Sequence, residues 1–223
     1  MASVVVLLSG GLDSAVASYQ AKKDIGRTGE VHALTFTYGQ VHVREVASAQ
    51  AIADSLNIDL RKVYLPLDTL VSSALLGDGE IPTVSSSGIP PTWVPQRNST
   101  FLALAFAYAE SLGADRVYTG FNIRDYSGYP DCRPEFVERM EEALNYASKT
   151  FVETGKGIGI ITPLMYKRKW EIVKLGVKLG VPFELTTSCY AGRDKACGVC
   201  DSCRIRLRAF EEAGMKDPLE YET

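Results

Sequence analysis

The sequence predicts an α/β fold, a doubly wound parallel sheet carrying a small four-cysteine region near its C-terminal end. Three observations carry that prediction. Apolar, β-branched runs alternate with helical patterns along most of the chain, as βαβ units of a parallel sheet require. The first run is followed at once by the turn Ser9-Gly10-Gly11-Leu12-Asp13-Ser14 and then by a helical pattern. Four of the five cysteines, Cys189, Cys197, Cys200 and Cys203, cluster far from any export signal.

The elements follow in order. Residues 4–8 read as the first strand and 14–23 as the first helix; 31–37 is a strand followed by a helix over 43–56, and 60–65 is a third strand. Residues 116–119 and 158–161 are two more strands, each separated from the last by a helical segment. The most periodic stretch is 135–151, which sets Phe136, Val137, Met140, Ala143, Leu144, Ala147 and Phe151 on one face of a single predicted helix. Such a stripe faces a core rather than a cofactor. Residues 66–95 differ, with five of the ten prolines, the cluster Ser85-Ser86-Ser87-Gly88 and no sustained period. A long irregular segment of this kind is either a binding lid or a surface excursion. Gly155, Gly157 and Gly159 precede a strand instead of following one, so they read as a turn. No linker divides the chain before about residue 187, which suggests a main unit over 1–186 and a metal-binding region over 187–223.

Composition narrows the function classes. A chain of 223 residues with 46% hydrophobic content can bury one good core. Net charge is −3 and the pI is near 5.5, so no global basic field exists to drive non-specific nucleic-acid binding. No basic region precedes residues 4–8, and the longest apolar stretch, 101–109, falls well short of the ~20 residues that span a bilayer. A cytoplasmic protein is expected. An odd number of cysteines without an export signal argues for metal or catalytic use rather than a disulfide framework.

The Ser9–Ser14 turn carries the clearest chemistry. Strand, glycine turn and helix start expose backbone N–H groups and the positive end of a helix together, which suits a phosphate. No G-x-x-x-x-G-K-[ST] motif occurs, so this is not a Walker-type loop. The bland alternative is a plain turn, with Asp13 or Ser14 capping a helix. The spacing C-x7-C-x2-C-x2-C lets three thiolates converge while a longer loop returns the fourth, and four thiolates in a closed set favour structural zinc. Iron–sulfur is the rival on ligand type, although here the fourth cysteine precedes the triplet. The motif SGGxDS at a first strand resembles the PP-loop of the N-type ATP pyrophosphatases, which implies a Rossmann-like, adenine nucleotide alpha hydrolase-like fold.

Four polar stretches lie beside strand ends or helix starts, where a parallel sheet places binding loops. They are Tyr38-Gly39-Gln40-Val41-His42, Val94-Pro95-Gln96-Arg97-Asn98, the run from Asp125 to Arg133, and Thr162-Pro163-Leu164 with Lys169. With SGGLDS and the four cysteines, they resemble the 7-cyano-7-deazaguanine synthase family over roughly residues 4–214. The resemblance implies an ATP- and Mg2+-dependent ligase. It would turn 7-carboxy-7-deazaguanine and ammonia into a nitrile through an adenylated carboxylate and an amide, in queuosine or related biosynthesis.

On that resemblance Leu8, Ser9, Gly10, Gly11, Leu12, Asp13 and Ser14 would hold ATP, and Lys169 and Arg97 would offset charge on phosphate. Asp13 would orient magnesium or a water; His42 would deprotonate ammonium or, as a lone histidine before a helix, be a cap or surface residue. Asp125, Tyr126, Tyr129, Asp131 and Arg133 would read the deazaguanine, the alternatives being loop packing for the tyrosines and a local ion pair for Asp131 with Arg133, and Cys189, Cys197, Cys200 and Cys203 would hold zinc. A homodimer acting on small molecules, with no membrane or nucleic-acid partner, is implied as well. Two positions depart from the family pattern: Val41 stands where an arginine is usual and Ile161 where a histidine is usual. The competing readings are a PP-loop tRNA thiolation enzyme, a family variant that stops at the amide or uses another amine, and a zinc-containing nucleic-acid module. The thiolation reading needs a reactive thiol, and only Cys132 lies outside the zinc set.

Overall fold

The computed structural model describes residues 2–40, 44–79, 88–124, 128–191 and 195–222. Five parallel strands form one sheet: β1 (Ser3–Leu7), β2 (Glu30–Thr37), β3 (Asp59–Tyr64), β4 (Arg116–Tyr118) and β5 (Gly159–Ile161), in the order β3-β2-β1-β4-β5. The crossovers are α1 (Leu12–Ile25), α2 (Arg44–Leu56), α3 (Arg97–Leu112), α4 (Pro134–Tyr146) with α5 (Lys149–Thr154), and after β5 come α6 (Lys169–Leu179) and α7 (Asp201–Glu212). The chain leaves β1 toward β2 and β3, then crosses to β4 and β5. The switch point lies between β1 and β4, where a doubly wound sheet opens a crevice at the carboxyl ends of its strands.

Alternation along each strand sorts the core into two layers. Val4, Val6 and Leu8 pack with Val16, Ile52, Ile172 and Phe210 on one face, whereas Val5, Leu34, Val117 and Ile160 pack with Leu102, Phe106 and Val137 on the other. The predicted strands and the first two helices stand within about two residues of their expected ends.

The single helix expected over 135–151 is two. Asn145 donates to the Ile158 carbonyl (3.0 Å) and accepts from the Ile158 amide (2.7 Å), tying the helix end to the strand approach. Ser148 then caps a new helix by accepting from the Phe151 amide. Satisfying buried backbone groups of a neighbouring segment outweighs one more turn of apolar period, which the sequence pattern cannot register. Gly155 ends that second helix in the left-handed region, so it is a turn glycine, as its spacing suggested.

The described flanks of 66–95 are packed, with Leu67, Leu75 and Val94 buried in the second core layer. Residues 80–87 lie outside the described residues. Beyond the proposed division at residue 187, Ala209 and Phe210 of α7 join the first core layer.

Candidate active site

A cavity of about 350 Å3 opens over the switch point. Six loop residues, Leu8, Ser9, Gly11, Leu12, Asp13 and Ser14, line it, with Gly10 buried behind them. Gly10 has φ +85, and a Cβ there would collide with the Glu45 carbonyl and the Ala49 amide of α2. Only glycine lets the loop lie this close to α2. Gly120, just after β4, approaches from the other side, since its Cβ would lie 2.9 Å from the Ser14 amide.

Ser14 Oγ donates to the Gly11 carbonyl (3.0 Å), and the Ser9 and Ser14 hydroxyls are 3.0 Å apart. The N-cap of α1 is Gly11, with no side-chain cap. The capping alternative therefore fails: among the described residues neither Asp13 nor Ser14 caps the helix, and its first N–H groups stay available to an anion. Lys169, the first residue of α6, instead donates to Asp13 Oδ2 at 2.6 Å. Among the described residues the other oxygen, Asp13 Oδ1, is buried without a hydrogen-bond partner. Asn122 braces this corner by donating to the Leu164 carbonyl (2.8 Å) in the loop that leads to Lys169.

Arg97 dominates the opposite wall. It opens α3 directly after Gln96, a non-glycine residue at φ +57, a local cost of order 1–3 kcal/mol that persists only where surrounding structure enforces it. Its guanidinium donates to the Tyr38 hydroxyl (3.2 Å) and lies 5.7 Å from the ring centres of both Tyr38 and Tyr129. Burial, with the Glu45 carboxyl nearby, pushes the Tyr38 phenol above its ordinary value against the pull of Arg97. Glu45 reaches the same cavity from the first turn of α2, and burial pushes its carboxyl up to about 7 against the pull of Arg97 and a Gln40 hydrogen bond. Cys132 also lines the cavity, and burial beside Asp131 pushes its thiol up to about 12. Asn98 Nδ2 lies 3.3 Å from its sulfur.

The C-terminal region closes the third side. The Sγ atoms of Cys189, Cys197, Cys200 and Cys203 all lie within 4.8 Å of one another and all four residues are buried, so the group can hold one metal ion with no open position. Backbone amides of Ala191 and Cys197 approach Cys189 Sγ at 3.3 Å, and that of Cys200 approaches Cys197 Sγ at 3.3 Å, as suits anionic sulfur. Cys203 lies in the first turn of α7, whose fully buried Arg206 pairs with Asp217 (2.7 and 3.0 Å) and donates to Thr186 Oγ1 (2.7 Å) and the Phe183 carbonyl (3.0 Å). Between Thr186 and Ser188, the Thr187 amide donates to the Gly10 carbonyl at 2.9 Å. The metal group is thus linked through α7 to the back of the phosphate loop.

The structure brings Leu8, Ser9, Leu12, Asp13, Ser14, Arg97, Tyr129 and Lys169 to one cavity, with Gly11 in the loop. It does not bring Asp131 or Arg133 to the wall. Asp131 is buried and accepts from the Asn98 amide (3.1 Å) at the start of α3, while exposed Arg133 donates to the Pro130 carbonyl (3.2 Å). His42, Val41, Asp125 and Tyr126 lie outside the described residues. Ile161 packs against the first core layer instead of lining the cavity. Sequence reasoning passed over Glu45 and placed Tyr38 in a binding-loop stretch without assigning it a role. A glutamate in a first helical turn reads as ordinary dipole pairing, and a tyrosine at a strand end reads as packing.

The family model described as "Queuosine biosynthesis protein QueC" matches residues 3–214. A protein of Thermoplasma acidophilum named 7-cyano-7-deazaguanine synthase is 48% identical over 98% of this chain and 91% of its own length. One of the same name from Nostoc sp. is 49% identical over 97% and 96%. Among solved structures, the NMN synthetase of Francisella tularensis aligns with a TM-score of 0.51 at 19% identity, covering 96% of this chain and 77% of that one, a likeness of fold.

Proposed function

The chain belongs to the QueC family of queuosine biosynthesis proteins, and from that premise we infer that it makes 7-cyano-7-deazaguanine from 7-carboxy-7-deazaguanine, ammonia and ATP. The observation that carries the reading is the shared cavity: a phosphate loop with an uncapped helix start and the Lys169–Asp13 pair faces Arg97 across a space of small-molecule size.

A carboxylate is a poor electrophile, because it is anionic and would have to expel oxide. The enzyme therefore adenylates it. Backbone N–H groups of the loop and the first turn of α1 hold the departing pyrophosphate, and Lys169 offsets the charge that develops there. Arg97, held between two tyrosine rings, is placed to receive the substrate carboxylate and then the acyl phosphate. Ammonia displaces AMP to leave an amide, and a second activation at the amide oxygen gives the nitrile. Asp13 Oδ1 is the atom that would hold magnesium, which when bound neutralises phosphate charge; an orphaned carboxylate oxygen beside a phosphate loop fits an ion that takes one or two protein oxygens. The four thiolates would hold zinc, which supplies folding energy there and leaves no position for substrate.

Tyr129 offers a flat face for the deazaguanine. Asp131 and Arg133 support this wall through α3 and the preceding turn. A net charge of −3 and a raised Cys132 thiol both favour this reading over tRNA thiolation. A cytoplasmic homodimer is the assembly implied, which sedimentation would measure.

Mass spectrometry of a reaction containing 7-carboxy-7-deazaguanine, ATP, magnesium and ammonium should show nitrile, AMP and pyrophosphate. ADP and phosphate as the only nucleotide products would overturn the assignment.

A further inference from the structure

At neutral pH ammonium is protonated and has no lone pair to attack with, so the amidation step needs a proton acceptor next to the acyl carbon. Within the described wall of the cavity most ionisable groups are unsuited. Asp13 is engaged by Lys169 at 2.6 Å, the Cys132 thiol is held protonated by burial, and Tyr38 accepts from Arg97 while its phenol is pushed upward. Glu45 remains. Its backbone carbonyl lies against Gly10 of the phosphate loop, and its side chain lines the cavity beside Arg97, with Gln40 hydrogen-bonded to it. Gln40 is itself fixed at the end of β2, its Nε2 donating to the Phe36 carbonyl (3.1 Å) and its Oε1 accepting from the Tyr38 amide (2.6 Å).

We propose that Glu45 binds ammonium in this cavity and takes its proton, delivering ammonia to the adenylated carboxylate that Arg97 holds. The inference rests on the function given above. One proton passes from ammonium to the Glu45 carboxylate. The nitrogen lone pair then forms the C–N bond, the C–O bond to phosphate breaks with its electron pair leaving on AMP, and a second N–H proton departs to water. The proton on Glu45 returns to solvent before the next turnover. Charged and titratable groups facing Glu45 are Tyr38 after β2 and Arg97 from α3, with Tyr129, Cys132, Tyr190, Arg206 and the Lys169–Asp13 pair on the remaining walls. Burial brings the carboxyl to about 7, so it can both take and release a proton near neutrality.

The test compares two nucleophiles on the intact enzyme. Hydroxylamine is largely unprotonated at neutral pH and traps acyl adenylates as hydroxamates without a base. Glu45→Gln should lower kcat/KM for ammonium by about a hundredfold or more, the size of a lost general base, and lower hydroxamate formation far less. In the parent, the ammonium rate should rise with an inflection near pH 7, and Glu45→Gln should lose that inflection. Glu45→Asp should restore part of the ammonium rate. Equal losses with both nucleophiles would overturn the proposal, as would selective ammonium loss in His42→Ala but not in Glu45→Gln. Carboxylate-dependent exchange of pyrophosphate into ATP by the parent separates the two levels: its absence overturns the reading of function, whereas its presence with equal losses overturns Glu45 alone.

Discussion

Single residues in this protein are recognised by what they hold in place of a cap or a core contact. Lys169 and Asp13 form a close pair at the cavity wall, outside both core layers, so breaking it costs folding little beside what it costs chemistry. Lys169→Ala should therefore lower turnover by a hundredfold or more, at least 2.7 kcal/mol of transition-state stabilisation at 1.36 kcal/mol per decade, while the melting temperature barely moves. Parallel rate and melting measurements check this. Cys132 is the opposite case: with its thiol held up to about 12 it carries almost no thiolate at neutral pH, so Cys132→Ser should keep most of its activity. A trapped thioester at Cys132 would contradict that.

Glu45 also has a stability signature. Its folded pKa of about 7 lies above the ordinary 4.5, so the folded state binds the proton more tightly and loses stability as pH rises through that interval. Glu45→Gln does not titrate. The melting temperature of the variant should thus gain on the parent between pH 5 and 8, read by thermal melts across that range.

At the scale of elements, α7 acts as a strut between the metal group and the phosphate loop. Arg206 is fully buried and satisfied only as a network, with Asp217 also accepting from the Tyr221 hydroxyl (2.6 Å) and the Leu219 amide (3.1 Å). Breaking one side of such a pair leaves an uncompensated buried charge and costs about 3–5 kcal/mol. Asp217→Ala should accordingly be strongly destabilising, and because Arg206 holds Thr186 and Ser188 around the Thr187–Gly10 hydrogen bond, it should weaken ATP binding as well. Chemical denaturation and nucleotide titration at low temperature would show both. The helices themselves were legible where one signal dominated. Alternation and strand-turn-helix order placed β1, α1 and β2 within two residues. The break between α4 and α5 was not legible, because it depends on Asn145 finding Ile158 across thirteen residues.

At the scale of the molecule, metal removal should be read in two places. A structural four-thiolate site contributes on the order of 10–16 kcal/mol, comparable to the ~5–15 kcal/mol that holds a domain. Chelation should make the region after residue 187 sensitive to protease, and it should also reduce ATP affinity, since residues 187, 188, 190, 202, 205 and 206 line the cavity. Protease mapping and calorimetry with and without chelator check the pair. Unchanged ATP affinity in a metal-free, locally unfolded protein would mean that the phosphate loop stands alone.

The amino-acid sequence by itself determined the parallel α/β architecture, the glycine turn between β1 and α1 and the four-cysteine group, because each is a local pattern: periodicity, glycine spacing, ligand spacing. Only the tertiary structure decided which polar residues share the cavity. Asp131 and Arg133 sit in the same run as Tyr129, yet the turn before α4 sends their side chains to a helix start and a carbonyl. Glu45 and Arg97, far apart in sequence, meet because α2 and α3 begin at the same carboxyl edge of the sheet. Direction in a loop follows from the hydrogen bonds its neighbours leave unsatisfied, and those are settled only when the elements pack.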